Sequence, residues 1–309
     1  MGIRTDLAVE TREMYHAEHG AGCEVPGVSV DVSMAADGVS VTRIEVIDSV
    51  GARIMGKPVG NYITIETDES ITKCRSERRA CVTEALAGEL RRLVPFHDRL
   101  KVLVAGLGNE KITPDSLGPV TLEKVRVTRH YFVMYGEDSD DEMACVSGIC
   151  PGVMGTTGLE SAEVIRRAAE ICGADVIIAI DALAARSLER VNTTIQISDT
   201  GIAPGSGTGN MRMALSEETV GARVIAIGTP TVTDAKTIIM DTVAGKMKAL
   251  GKNVDELEKE IDCERLNMIV TSSDIDQVIK DFSGIIADAV NMTLLPGACG
   301  AEWFEDAER

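Results

Sequence analysis

The stretch Val102–Pro119 reads VLVAGLGNEKITPDSLGP, and its reading decides the fold class. A short apolar run breaks into a glycine turn and then into a helix-like pattern, which is how a nucleotide-binding βα unit begins. The turn departs from both phosphate-binding patterns. Lys111 stands where G-x-G-x-x-G needs its third glycine, and no Gly-Lys-Ser/Thr ending follows. Two uses of the turn stay open on this stretch alone: cradling a phosphate, or aiming Asp115.

The same style continues outward. KVLVAG (101–106), DVIIAID (175–181) and RVIAIG (223–228) are apolar runs, each with a helix-like segment beside it. Those segments are SLGPVTLEKVRV, GLESAEVIRRAAEI and DAKTIIMDTVAGKMKAL, and DIDQVIKDFSGIIADAVNMTLL adds an amphipathic C-terminal helix. Continuous apolar strands belong to sheets covered by helices on both faces. Thr157 with Glu160 has the spacing of a capping box for the middle helix. Upstream, VSVDVSM, VSVTRIEVI and YITIET alternate with period two between Gly and Asp turns, so 28–66 reads as β. A helix is expected over 76–94, before Pro95. Residues 1–22 are polar. The expectation is a three-layer α/β body around a mostly parallel sheet, with an N-terminal β-rich addition.

Composition narrows the function. The chain has 309 residues, 44% apolar and 26% charged, with only 3% aromatic, so its core is aliphatic. A net charge of −18 argues against a nucleic-acid surface, which needs clustered Lys and Arg. No run approaches the ~20 apolar residues of a membrane span, and the N-terminus has no signal-peptide core. The eight cysteines form no C-x-x-C pair, which fits reduced thiols in a cytoplasm.

Ligands and catalytic groups gather at the carboxyl ends of strands in such sheets. Asp181 ends DVIIAID, and Asp115 lies in the turn after VLVAG. If their strands are neighbours, the two carboxylates face one cleft, one pKa rises, and the pair can both take and give a proton. Either aspartate alone also reads as a turn or N-cap residue in a chain with 49 acidic residues, and spacing does not separate the readings. There is no G-x-S-x-G elbow. Cys145 and Cys150 have no nearby histidine, though His97 or His130 could reach them through the fold. His16 and His19 are open to metal binding or to an exposed arm. GIAPGSGTGN (201–210) suits an anion nest or a flexible rim loop.

Taken together, RTDLAVE, GKPVGNYITIE, GLGNEKITPDSLGP, CPGVMGTTGLESAE, IDALAARSLERVNTTIQISDTGI, PGSGTGN and IGTPTVTDA resemble one family, the germination proteases of spore-forming bacteria. These blocks run from residue 4 to about 235, with weaker likeness in TSSDIDQVIKDFSGIIADAVN. The resemblance implies an aspartic-type endopeptidase that degrades small acid-soluble spore proteins at germination. It implies Asp115 and Asp181 as catalytic residues, no cofactor, a homotetramer, and a place in the cytoplasm of the forespore or spore core. It also implies a core similar to that of the hydrogenase-maturation proteases. On this reading the GLGN turn aims Asp115.

The family is made as zymogens that trim their own N-terminus at a site similar to Thr-Glu-Phe/Ile-Ala-Ser-Glu in the substrates. TDLAVE (5–10) has that shape, so the resemblance places the cut between Asp6 and Leu7. Residues 1–6 are then a short pro-segment, and 7–309 are a single peptidase domain. An acidic residue before the cut calls for a basic receptor, for which Arg186, Arg190 and Arg212 are candidates, with Asn109 in the GLGN turn as a further substrate contact. Three other readings compete. A nucleotide-binding α/β protein would need an intact phosphate loop. Peptidyl-tRNA hydrolase also opens with GLGN, but here TRH (128–130) stands too far from the turn. A metal-dependent maturation protease would need a histidine beside the acidic pair, and only His130 is even remotely placed.

Overall fold

The computed structural model describes residues 5–20, 23–97, 99–136, 142–205, 212–239, 242–243 and 268–298. The alternating segments form strands: β1 (Val28–Ala36), β2 (Val39–Val46) and β3 (Gly60–Thr67). The three apolar runs form β4 (Lys101–Gly106), β6 (Val176–Ala185) and β8 (Arg223–Asp234); β5 (Cys145–Ile149), β7 (Thr194–Ser198) and a short β9 (Ile269–Val270) are strands the sequence pattern did not mark. One nine-stranded sheet results, ordered β1-β2-β3-β7-β8-β6-β4-β5, with β9 on β8. Its central body, β8-β6-β4-β5, is parallel. The N-terminal strands continue it as an antiparallel extension, because β3 pairs with β7 and β7 with β8.

Helices cover both faces, as continuous apolar strands require. Along β4, Val102 and Val104 face one core while Leu103 and Ala105 face another. The first core is closed by α3 (Ser76–Leu93), α4 (Leu117–Leu122) and the C-terminal helix α6 (Ile275–Leu294), with Phe282 among its largest buried side chains. The second is closed by α5 (Ser161–Cys172) through Ala162, Ile165 and Ala169. Arg43 on β2 binds Glu89 on α3 at 2.6 Å, and this pins the antiparallel extension to its helix.

Some local expectations change. Residues 8–19 form a helix, α1, rather than an exposed arm. Leu7, Ala8 and Val9 are buried in a third core with Met55 of α2 (Ser49–Met55), Tyr62 and Leu183. Thr157 and Glu160 form no capping box: Thr157 ends a separate short helix and Glu160, the N-cap of α5, makes no side-chain cap bond. The helix after β4 stops at Leu122, since the chain turns so that Thr128 can bond Val146 of β5. Of DAKTIIMDTVAGKMKAL, 235–239 are helical, while most of the rest, like 206–211 of the glycine-rich loop, lies outside the described residues.

Candidate active site

Asp115 is placed by backbone packing rather than by its own side chain. After β4 the chain turns at Gly108 (φ 105°), where a Cβ would meet the backbone oxygen of Asp115 at 2.0 Å. That oxygen accepts the Asn109 N–H at 2.9 Å, and the Asp115 N–H donates to Ile112 at 2.8 Å. Gly118 closes the other side, where a Cβ would stand 2.3 Å from the Leu107 oxygen and 2.5 Å from that of Ile180. The Thr231 hydroxyl of β8 donates to the Pro114 carbonyl at 2.7 Å and ties the turn to the sheet. The glycines therefore serve a close approach of backbone to backbone.

Asp181 lies inside β6, not at its end. Pairing with β8 runs on to Ala185, but pairing with β4 stops at Ile180, where Leu107 N–H donates its last bond at 2.8 Å. Asp181 thus occupies the first position past the end of β4, with a partner strand on one side only. Asp115 and Asp181 line one cavity of about 460 Å³, together with Asp6, Leu107, Arg212 and Thr231.

Burial, then the charges of Asp115 and Asp6, hold the Asp181 carboxyl well above its ordinary value of 3.8, against one bond from the Ala182 N–H. Burial also raises Asp115, opposed by a bond from the Asn109 backbone amide. The more enclosed Asp181 is the group that retains a proton, and Asp115 is the one that more readily loses it.

Asp6 lies against β6 at a bend just before α1. Its N–H donates to the Ala184 carbonyl at 3.1 Å, and its carboxylate accepts the Ala184 N–H at 2.9 Å. Its carbonyl oxygen accepts two bonds, from Lys57 Nζ and Gln196 Nε2, both at 2.9 Å. Beyond it, Leu7 and Ala8 are fully buried. Glu10 is 2% exposed and accepts the backbone N–H groups of Arg186 and Ser187 at 2.7 and 2.8 Å, as well as the Thr5 hydroxyl.

Of the four expected substrate contacts, only Arg212 lines the cavity, exposed, with Nη1 3.3 Å from Met154 Sδ. Arg190 is held elsewhere, bidentate to Glu13 at 2.6 Å and bonded to Glu66 at 2.8 Å. Arg186 offers its backbone N–H to Glu10, and Asn109 supports the Asp115 turn. Around the Asp6 carboxylate stand the Ala184 amide and the charge of Lys57. Lys57 and Gln196 were not anticipated from sequence. The available signal was a polar residue at the middle of TIQIS and a lysine between Gly56 and Pro58. His130 lies against Tyr131 with the rings tilted by 39°, and, like Cys145 and Cys150, is not a lining residue of this cavity. Among the described residues, no three His, Cys, Asp or Glu side chains group as metal ligands, and no helix is long and apolar enough to cross a membrane.

The sequence profile described as germination protease matches residues 8–266. The chain belongs to the germination protease family. A germination protease of Caldanaerobacter subterraneus subsp. tengcongensis is 41% identical over 317 residues, covering 96% of this chain and 95% of the relative. One from Clostridium tetani is 42% identical over 315 residues, covering 96% of each. One from Bacillus cytotoxicus is 44% identical over 260 residues, covering 83% of this chain and 70% of the relative. Among solved structures, the NiFe hydrogenase maturation protease HycI from Thermococcus kodakarensis is similar at a TM-score of 0.34 and 14% identity, over 66% of this chain and 99% of that one.

Proposed function

We propose that this germination protease is an aspartic-type endopeptidase acting on small acid-soluble spore proteins in the spore core, made as a precursor that cuts its own Asp6–Leu7 bond. The observation that carries the reading is the cavity shared by Asp115, Asp181 and Asp6, which brings two carboxylates to the residue before the expected cut. Asp115 takes a proton from a water whose oxygen attacks the Asp6 carbonyl carbon. Asp181 gives its proton to the Leu7 nitrogen as the C–N bond breaks. Residues 1–6 leave as the pro-segment, and 7–309 remain as the peptidase. The resemblance of TDLAVE to the substrate sites supports the same chemistry on spore proteins. Assembly as a homotetramer and residence in the spore core belong to this reading through the family.

The test is a mass spectrum of the purified chain after incubation at mildly acidic pH, beside Asp115→Asn and Asp181→Asn. Loss of residues 1–6 in the parent alone is the expected outcome. Equal trimming of all three would remove the aspartates from the mechanism. If none trims, the precursor reading falls, and a spore-protein peptide assay decides whether the chain is a peptidase of that substrate.

A further inference from the structure

We propose that Lys57 and Gln196 are the oxyanion-binding pair for cleavage of the Asp6–Leu7 bond. The inference rests on the reading of that bond as the one cut, and goes beyond it by naming the groups that receive the charge of the reaction. A backbone carbonyl beside a strand is most simply satisfied by a backbone N–H. The Asp6 carbonyl instead takes two side-chain donors from separate elements, the ammonium of Lys57 just after α2 and the amide of Gln196 on β7, each at 2.9 Å.

Both donors are fixed in place. The other end of the Gln196 amide accepts the Ala8 N–H at 2.7 Å, so its nitrogen is the atom turned to Asp6. Gln196 therefore grips the chain on both sides of the Asp6–Leu7 bond. Lys57 stands 5.8 Å from the centre of the Tyr62 ring, and the Tyr62 hydroxyl is anchored on the Pro58 carbonyl at 2.9 Å. A desolvated ammonium is costly unless it is bonded: burial lowers the Lys57 pKa, and the charges of Asp6 and Glu10 oppose that in part. Asp6 lines the cavity of the two aspartates and also a second cavity, of about 900 Å³, lined by Lys57, Tyr62 and Gln196. Carboxylates and donors thus reach one residue from two cavities.

When water adds to the Asp6 carbonyl carbon, the π electrons move onto its oxygen, which becomes an alkoxide. Lys57 and Gln196 already point at that oxygen, so their bonds strengthen without rearrangement. As the C–N bond breaks, the carbonyl re-forms, Leu7 leaves as an amine, and Asp6 becomes a carboxyl terminus. No oxidant or further reactant is needed.

The experiment follows loss of residues 1–6 over time in the full chain, alongside thermal unfolding of each protein. Lys57→Met keeps the stem and removes the charge. Gln196→Glu keeps the acceptor for Ala8 and removes the donor. Each is expected to slow trimming by on the order of a hundredfold while the chain stays folded, and Lys57→Arg is expected to restore part of the rate. A clamp with only a structural role would lower the melting temperature and leave the folded fraction trimming at the parental rate, which would overturn the proposal. Should Lys57→Met fail to fold, Gln196→Glu and Lys57→Arg decide on the same criteria. A parent that does not trim would instead overturn the reading of the bond, and this inference with it.

Discussion

A carboxyl group that is 4% exposed and accepts its neighbour's N–H, as Asp181 does from Ala182, keeps its proton to higher pH than an exposed one. The sign of its effect on stability follows. Below 3.8, Asp181 is protonated folded or unfolded and costs nothing. As pH rises from there to the elevated folded value, the unfolded chain releases a proton that the folded chain retains, so stability is lost. Above the folded value the penalty stays constant. Asp181→Asn, made in an Asp115→Asn background so that neither chain trims itself, is expected to raise the melting temperature at neutral pH. The gain should shrink towards zero as pH falls to the ordinary carboxylate range; a difference independent of pH would contradict the burial argument. At this scale the sequence was half legible. Asp115 and Asp181 could be named from the order of the blocks around them, although spacing alone could not separate them from the chain's other acids. The partners of Asp6 could not be named, because Lys57 after α2, Gln196 on β7 and Ala184 on β6 come together only when the sheet is assembled. An arginine was the natural expectation for an acidic residue, yet Arg190 is committed to Glu13 and Glu66.

At the scale of elements, the turn after β4 is the part on which the site depends most. Gly108→Ala would put a side chain at φ 105° and 2.0 Å from a backbone oxygen, so the turn that carries Asp115 must shift. The expected cost is about 1–3 kcal/mol in denaturant unfolding. On the proposed mechanism trimming should be lost as well, since displacement of Asp115 would take its base from the cavity; unchanged stability and rate would mean that the turn has room to adapt. Six of the nine strands were legible because period two and continuous apolar runs report burial on one face and on two; β5, β7 and β9 are too short to show either pattern clearly. Strand ends were not. Asp181 reads as a terminus because polarity returns there, but β8 continues to pair with β6 for four further residues, from Ala182 to Ala185. The Thr157–Glu160 spacing was misleading for a related reason: local hydrogen-bonding capacity does not fix a helix start when a separate turn of helix, Met154–Thr157, uses the same residues.

At the scale of the whole molecule, the proposed self-processing would have the chain carry its own substrate. Asp6 is bonded to β6, to the corner after α2 and to β7, while Leu7, Ala8 and Val9 are packed in the core with Met55, Tyr62 and Leu183. For another copy to cut this bond, that segment would have to leave the core, exposing the apolar side chains that hold it. Each buried large aliphatic side chain is worth about 1.5–3 kcal/mol, so release of the segment is costly beside attack in place. The net charge of −18 adds repulsion between copies at low salt. Self-processing is therefore expected to be intramolecular: its half-time should be independent of protein concentration, and an Asp181→Asn chain mixed with active parent should stay uncut. A rate that rises in proportion to concentration, or trimming of the inactive chain by its neighbour, would mean that the buried segment opens readily and that the contacts around Asp6 do not hold the bond for its own aspartates.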